Sequence, residues 1–509
     1  MDADRPEISG RRGRPARSAR GAAAGGAAAP GGPGRGGCVG GGGAGPAVGA
    51  PVTVADLTLA RVVAAIRAGE LSPVEVAEAV LERAARVQPR LQPFLWLDEE
   101  RVREQARRLA QQPPRGVLHG VPVTLKDLVA ERGAPWTCGS RLRAQVVARE
   151  DAEVTRRLRE AGAVFVGRAH LHEFAFGVSN ENPHFGPCRN PWDPGRSPGG
   201  SSGGSAVAVA TGCAFGSVGT DTGGSVRIPA ALCGVVGCKP TYGLVPGDGV
   251  FPLSPSLDHV GPLARTVEDV ALLLEVLAGC PGRYAVAGSG LRGLRVGVPR
   301  GGLWEVLHPG VASCVHEALR TLEEDGARCE PVDFPWEAAS AVATALLLVE
   351  AAALHVDSLR AHPDEYGRDV RERLLVGLGL PAERYARALR VRRVLARASR
   401  ALWERVDVLA TPTVPLPAPR LGEDRTQLAG GFHEIGSLLT RFTNPFNTLG
   451  LPAVSVPCGF ADGLPVGLQL VGPPWEEARV LSAAWAYERA RGTFPQPAAV
   501  KSSLGEEYA

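Results

Sequence analysis

The sequence lacks the features that would place the protein in a membrane or on a nucleic acid. No apolar run reaches the roughly 20 residues that span a bilayer. The longest, 341–356, is interrupted by Glu350, and we predict a buried helix there. Segment 1–52 holds seven arginines and three acids, a charge of +4, whereas the whole chain carries +3, so the remainder carries −1. A near-neutral remainder offers no electrostatic attraction to nucleic acid or an anionic membrane.

The sequence also lacks paired cysteines. Its ten cysteines include no C-x-x-C, and the closest spacing is Cys233 to Cys238. This scatter favours a reduced, cytoplasmic protein in which cysteine is a small apolar side chain.

Composition divides the chain into three segments. Residues 1–52 are rich in Gly, Ala, Pro and Arg and hold too little apolar surface to offset the entropy of ordering, so we predict a disordered tail. Residues 53–498 alternate helix-type and strand-type patterns, which favours α/β layers. Their length would suit two or three domains, but no linker divides them and we predict one domain. Residues 499–509 are predicted to form a C-terminal tail.

Local signals place the main elements of this domain. Ser72 as N-cap, with Pro73 at the first helical position, starts a helix that runs to about residue 87. Thr266 starts another at 267–278. The other predicted helices are 53–67, 101–111, 154–161, 206–210, 310–325 and almost all of 340–405. The predicted strands are 120–126, 163–166, 294–298, 406–410, 453–456 and 467–471.

A long Gly/Ser-rich stretch, 197–229, dominates the middle of the chain. It contains the clusters G-G-S-S-G-G at 199–204 and D-T-G-G-S at 221–225. Glycine allows tight turns and close approach of backbone N–H groups to a ligand, and serine supplies hydroxyls. A hydroxyl beside backbone donors suits acyl transfer, which needs a nucleophile and an oxyanion site.

Three other interpretations of this stretch are weaker. A phosphate-binding loop would carry G-x-x-x-x-G-K-[ST], which is absent. Residues 199–203 match the G-x-S-x-G nucleophile elbow, but that elbow follows a strand, and residues 190–198 have the Pro/Gly pattern of a loop. A flexible linker would carry polar flanks, and here the flanks are apolar.

Lysine is scarce: only Lys126, Lys239 and Lys501 occur among 56 Lys and Arg residues. Arginine does not lose its proton at accessible pH, whereas burial can depress the pKa of a lysine until it serves as a neutral base. Lys126 ends an apolar strand, so we predict that it is a general base. An ion pair with Asp127 is the alternative, and Lys239 is the competing candidate for the base.

Together these stretches resemble the amidase signature family of serine hydrolases over about residues 53–490. The resemblance implies a large mixed β-sheet sandwiched between helix layers (α/β/α), a small-molecule amide substrate, and neither metal nor cofactor. The matching segments are 120–127, the full run 199–229, K-P-T-Y-G at 239–243, 256–258 with 261–266, and 447–469.

The resemblance also implies catalytic roles. Ser225 would be the nucleophile that forms an acyl-enzyme, Ser201 would follow a cis peptide bond and relay the proton, and Lys126 would be the base. The implied supporting groups are the backbone N–H groups of Thr222, Gly223, Gly224 and Ser225 as the oxyanion hole, Ser202 as a hydrogen-bonding residue, and Asp221 and Arg227 as residues that hold the loop.

Two kinds of family member are weighed, a stand-alone amidase and the glutamine-hydrolysing A subunit of the tRNA-dependent amidotransferase. That subunit would carry an Asp where this chain has Thr440, and an Arg where it has Leu244. Both differences weaken glutamine as substrate, since its ammonium group requires a carboxylate partner. We therefore predict a stand-alone amidase, with a homodimer as a possible assembly. Region 340–440 lines the acyl pocket of relatives, and its Ala, Leu and Val favour an apolar substrate.

Two other classes of protein are disfavoured. His170 and His172 follow a predicted strand and could form a metal pair, but no further His/Asp pattern completes a metal site, so core or surface histidines are predicted. A non-enzymatic binding protein would require a broken Ser/Lys set, and the set is intact.

Overall fold

The structure, a computed structural model, describes residues 53–286, 290–301 and 304–497. The predicted tails 1–52 and 499–509 lie outside these residues. The strands of the main sheet are β1 (Phe94–Trp96), β2 (Pro122–Lys126), β3 (Val164–Ala169), β6 (Gly216–Asp221), β7 (Val236–Lys239), β8 (His259–Ala264), β9 (Arg295–Pro299), β10 (Arg328–Val332), β11 (Val408–Pro412), β14 (Ala453–Ala461) and β15 (Leu464–Val471). Short hairpins are formed by β4 (Glu181–Asn182) with β5 (Gly186–Pro187), and by β12 (Arg425–Leu428) with β13 (Gly431–Glu434).

The central sheet is mixed, as predicted. Its order is β1-β3-β2-β6-β8-β7-β14-β15-β11-β9-β10. Strands β3, β2 and β6 are parallel at one side, β11, β9 and β10 are parallel at the other, and the centre is antiparallel. Every residue of β2, β3, β6, β7, β8, β11 and β15 is buried, so both faces of the sheet are covered.

The helices cover this sheet. The helices are α1 (Leu59–Ala68), α2 (Pro73–Leu91), α3 (Glu99–Ala110), α4 (Glu153–Glu160), α5 (Gly203–Ala210), α6 (Arg227–Cys233), α7 (Val267–Ala278), α8 (Pro309–Glu324), α9 (Trp336–Ala361), α10 (Arg368–Leu378), α11 (Ala382–Ala398), α12 (Arg400–Arg405), α13 (Ile435–Thr440), α14 (Asn444–Thr448) and α15 (Glu477–Arg491). Helices α5 and α6 pack on each other; α5 contacts β6 and α6 contacts β15. Helix α7 contacts β8, and both α8 and α15 contact β14.

The predicted helix caps are confirmed, and the structure adds one that the sequence prediction overlooked. Ser72 accepts a hydrogen bond from the N–H of Glu75, and Thr266 accepts one from the N–H of Asp269. The single helix predicted over 53–67 is wrong, because Thr58 caps a separate helix, α1. A one-turn 3-10 helix, Val54–Asp56, precedes it.

The predicted helical stretch 340–405 is confirmed, but the remainder of region 340–440 is not wholly helical. Helices α9 to α12 finish at Arg405, and β11 and the β12–β13 hairpin follow. The hairpin turn is Ala429–Gly430, and both residues have positive φ (48° and 77°), as a two-residue type I′ turn requires.

Helix α9 is longer than the sequence suggested. Among the described helices it is the one that is long and apolar enough to cross a bilayer. The prediction that no segment reaches this length is wrong, because the helix continues on both sides of 341–356. Core helices meet the same criterion, and here α9 packs along α10 and α11. Its Glu350 accepts hydrogen bonds from Ser254 and Tyr385 of the same chain.

Candidate active site

Two parallel strands bring the predicted catalytic segments to one edge of the sheet. β2 ends at Lys126 and its neighbour β6 ends at Asp221. The carboxyl ends of parallel neighbours lie together, so Lys126 meets the segment that follows β6. That segment, 222–226, then enters α6, and residues 199–202 lead into α5.

Lys126 lies in contact with Ser201. Its Nζ donates to Ser201 Oγ at 2.7 Å and to Thr220 Oγ1 at 2.9 Å, and all of its side chain is buried. Burial lowers the pKa of Lys126 to about 7, although the carboxylates of Asp221 and Asp258 act in the opposite direction. A substantial fraction of the amine is therefore neutral near pH 7 and can accept the Ser201 proton over the same distance.

Neither alternative for the lysines is seen in the structure. Asp127 pairs with Arg168 at 3.3 Å and accepts hydrogen bonds from Thr137, so it is not the ion-pair partner of Lys126. Burial also lowers the pKa of Lys239 to about 7, but its Nζ donates only to Pro240 O, at 3.1 Å, among the described residues. Geometry, not pKa, distinguishes the two buried lysines.

The two Gly/Ser clusters are joined through their backbones. The N–H of Ser202 donates to Ser225 O at 3.2 Å, and the Ser202 hydroxyl donates to Thr220 O at 3.2 Å. The Gly200–Ser201 peptide bond is cis, as the resemblance implied. In this described region no hydrogen bond joins the Ser201 and Ser225 hydroxyls. The structure thus contains the Lys126–Ser201 half of the predicted relay but not its second half.

One of the predicted oxyanion donors is already engaged. The N–H of Gly224 donates to Asp221 Oδ1 at 2.8 Å, so it is not available to an oxyanion. The N–H groups of Thr222, Gly223 and Ser225 have no acceptor among the described residues. The set that fits the structure is therefore these three without Gly224.

A buried ion pair holds the nucleophile segment. Arg227 Nε donates to Asp221 Oδ2 at 2.9 Å and Nη2 to Oδ1 at 2.8 Å, and neither side chain is exposed. The guanidinium also donates to Gln469 Oε1 at 2.7 Å and Asn447 Oδ1 at 2.6 Å. Burial would raise the pKa of Asp221, but the charge and hydrogen bonds of Arg227, the charge of Lys239 and a hydrogen bond from the Asn447 amide outweigh it and hold that pKa below its usual range.

Removing this carboxylate is expected to be strongly destabilising. Asp221→Asn leaves the buried Arg227 without its counterion, at a cost of about 3–5 kcal/mol in the free energy of unfolding. Chemical denaturation followed by circular dichroism measures the change. Arg300 and Asp333 form a similar two-point pair on the surface (2.8 and 3.1 Å), so Asp333→Asn is the matched control and should leave the transition unshifted. Equal shifts in the two variants would contradict a special role for the buried pair.

Several residues of the site were missed by the sequence prediction. Thr220 binds Lys126, and Asp258 Oδ1 accepts the Thr222 hydroxyl at 2.6 Å. Asn447 donates to the backbone oxygen of Asp221 at 2.9 Å. Asp258 and Asn447 lie in segments that matched the family, so that match was the signal that could have found them.

One cavity touches Thr222 of the nucleophile segment, and a second reaches Asn444, which packs against Gly223. The first, of about 260 Å³, touches Thr220 and Thr222, and its wall is largely apolar. The second, of about 500 Å³, lies among α9, the β12–β13 hairpin and α13 and reaches Asn444. The apolar wall comprises Ala175, Val245, Val250, Phe251, Pro252, Leu253, Pro255 and Val260.

Region 340–440 contributes to the second cavity, whereas the apolar wall of the first comes from other segments, and the apolar substrate stays a prediction. The side chains that this region contributes to the second cavity are mostly polar or charged, because the inward positions come from the hairpin and α13 and not from the Ala/Leu-rich face of α9. They include Ser340, Thr344, Arg425, His433, Glu434, Ser437, Thr440, Arg441 and Asn444.

The H-x-H pair has separate partners. His170 contacts Gly186 O and Asn180 Nδ2, both at 3.0 Å, and His172 contacts Asp369 Oδ2 at 2.8 Å. No three His, Cys, Asp or Glu side chains among the described residues are arranged to share a metal ion. The nine described cysteines are free, and burial raises the pKa of the Cys213 thiol to about 12, as expected of a core side chain.

Comparison with known proteins shows the family and the fold. The family described as Amidase matches residues 75–481. The A subunit of the glutamyl-tRNA(Gln) amidotransferase of Symbiobacterium thermophilum is 41% identical over 476 residues, 85% of this chain and 96% of that protein. An amidase of Pseudomonas putida is 42% identical over 453 residues, 85% of this chain and 96% of that protein. A crystal structure of an amidase superposes with a TM-score of 0.82 at 39% identity, covering 86% of this chain and 100% of that one.

These matches extend well beyond the Gly/Ser stretch and include the sheet and its covering helices. They confirm the mixed α/β fold and the resemblance on which the site residues were assigned. The chain belongs to the amidase family, the amidase signature enzymes that hydrolyse amide C–N bonds.

Proposed function

We propose that this chain is a stand-alone amidase that works through an acyl-enzyme on Ser225. The observation that carries the proposal is the 2.7 Å contact between the buried Lys126 Nζ and Ser201 Oγ. Neutral Lys126 takes the proton of Ser201 while Ser201 takes the proton of Ser225. Rotation of the Ser201 and Ser225 hydroxyl groups on substrate binding completes the transfer from Ser225 to Ser201, because catalytic hydrogen bonds tighten when substrate binds.

The Ser225 oxygen attacks the amide carbon and forms a tetrahedral oxyanion. The N–H groups of Thr222, Gly223 and Ser225, which have no acceptor in the described chain, stabilise this charge. The proton returns through Ser201 to the leaving nitrogen, and the C–N bond breaks. Water then attacks the Ser225 ester by the same relay, releasing the acid.

A glutamine-hydrolysing component of an amidotransferase is the second candidate. The relative that is 41% identical bears that name, so similarity alone does not separate the two functions. Thr440 lines the larger cavity at the position where the amidotransferase component is expected to carry Asp, which supports the stand-alone enzyme. The amidotransferase function would require a partner protein and a tRNA.

Ammonia release combined with covalent trapping tests the proposal. Aliphatic amides, aryl amides, the monoamide of glutaric acid, glutamine and asparagine are assayed with and without EDTA, and reactions with activated substrates are quenched for peptide mass spectrometry. We expect EDTA-insensitive ammonia release and an acyl adduct on Ser225. An adduct on another residue would overturn the mechanism. Release from glutamine or asparagine, with none from simple amides or from the monoamide of glutaric acid, would favour the second candidate.

A further inference from the structure

The larger cavity indicates which amides the enzyme prefers. We propose that its preferred substrates carry a carboxylate, which is held by the guanidinium of Arg441. This inference rests on the proposed function and specifies the substrate class of the same site.

The charge of the cavity is the first observation. Its wall contains two arginines, Arg425 and Arg441, and one carboxylate, Glu434, so a net positive charge faces a space of about 500 Å³. The hydroxyl-bearing residues Ser340, Thr344 and Ser437 line the same space. Such a wall is poorly suited to an alkyl group and well suited to an anion with hydrogen-bonding oxygens.

The second observation is that the Arg441 side chain has no partner among the described residues. Arg441 follows α13, is partly buried, and its side chain makes no hydrogen bond or ion pair with any described residue. Burial lowers the pKa of this guanidinium, and Glu337 compensates only in part. Some partly buried arginines of the domain have carboxylate partners, for example Arg157 with Glu153 at 2.8 Å and Arg101 with Glu131 at 2.7 Å, whereas Arg392 donates to the backbone oxygen of Thr448 at 2.6 Å instead. A ligand carboxylate would supply the acceptor that Arg441 lacks.

The position relative to the nucleophile is the third observation. Asn444, three residues after Arg441, lines the same cavity and lies so close to Gly223 that a Cβ there would collide with its Oδ1. Thr443 donates its hydroxyl hydrogen to Gly223 O at 2.6 Å. The cavity therefore reaches a residue that packs against the segment carrying Ser225, and a substrate anchored at Arg441 would extend past Asn444 to reach that segment.

Arg425 is the less suitable anchor. It is exposed, and it lies opposite Glu434 in the register of the β12–β13 hairpin, where a carboxylate already faces it. Arg425 therefore serves as the internal control for Arg441.

The test compares matched amides of the same chain length. For wild-type enzyme we expect kcat/KM for the monoamides of succinic, glutaric or adipic acid to exceed that of the corresponding neutral alkyl amides by about 10- to 100-fold, the range of one charge-assisted contact. In Arg441→Gln this ratio should fall to about 1, Arg441→Lys should retain part of it, and Arg425→Gln should lower it much less than Arg441→Gln. An equal or lower rate for the anionic amides in wild type, or a ratio that survives Arg441→Gln, overturns the inference.

A binding measurement tests carboxylate recognition by Arg441 without requiring amide hydrolysis. Glutarate, measured by calorimetry, should bind Ser225→Ala enzyme and bind the Ser225→Ala/Arg441→Gln double variant about 10- to 100-fold more weakly. Equal affinity in the two would overturn the inference even if amides are hydrolysed. Failure of the proposed function would instead show as no Ser225 adduct, with the glutarate result unaffected.

Discussion

Ser225→Ala is expected to lower kcat for amide hydrolysis by roughly 10⁴- to 10⁶-fold, as loss of the nucleophile does in other serine hydrolases. The variant keeps the backbone donors of 222–225 but has no oxygen with which to form the acyl-enzyme. Ammonia release measures the loss, and melting temperature verifies the fold, since the small hydroxyl of Ser225 makes no hydrogen bond among the described residues.

Ser217→Ala is the matched control. Ser217 lies on β6, is equally buried, and its hydroxyl has no partner in the described structure, but it is separate from the Lys126–Ser201 contact. It should retain turnover. Full activity of Ser225→Ala, purified from a host without background amidase, would rule out the proposed nucleophile.

Lys126→Met should have the second largest effect, a fall in kcat of at least about 10³-fold, because the variant cannot accept the Ser201 proton. Lys239→Met is the natural comparison: both lysines are fully buried and burial lowers both pKa values to about 7. Only Lys126 touches a serine of the site, so Lys239→Met should keep most of the turnover. A larger loss in Lys239→Met would reassign the base.

The pH profile gives an independent readout of the same lysine. The base acts in its neutral form, so kcat/KM of the wild type should rise with pH and level off above the pKa of about 7. As pH falls below this value, Lys126 becomes protonated and the rate should fall about tenfold per pH unit. In Lys126→Met the residual rate should lose this inflection. An unchanged inflection would mean that a different group titrates.

Much of the fold could be predicted because its signals are local. The Ser72 and Thr266 caps act within three residues of themselves, and the strand that ends at Lys126 is a short apolar run. The predicted base follows from the scarcity of lysine and from this buried position. The missed break at Thr58 was also local, and it was overlooked because the apolar pattern continues across it.

The sequence by itself determined the family and the α/β class and predicted the serines of the site, since these depend on motifs of residue types at short spacings. Only the tertiary structure decided which buried lysine touches Ser201, because 75 residues separate the partners. It also showed that Asp221 occupies the Gly224 N–H and that Arg227 is held by Asn447, 220 residues away. The charge of the larger cavity depends on which side chains of α9, the hairpin and α13 face inward. Such contacts form between distant segments as they pack, so neighbouring residues carry no signal of them.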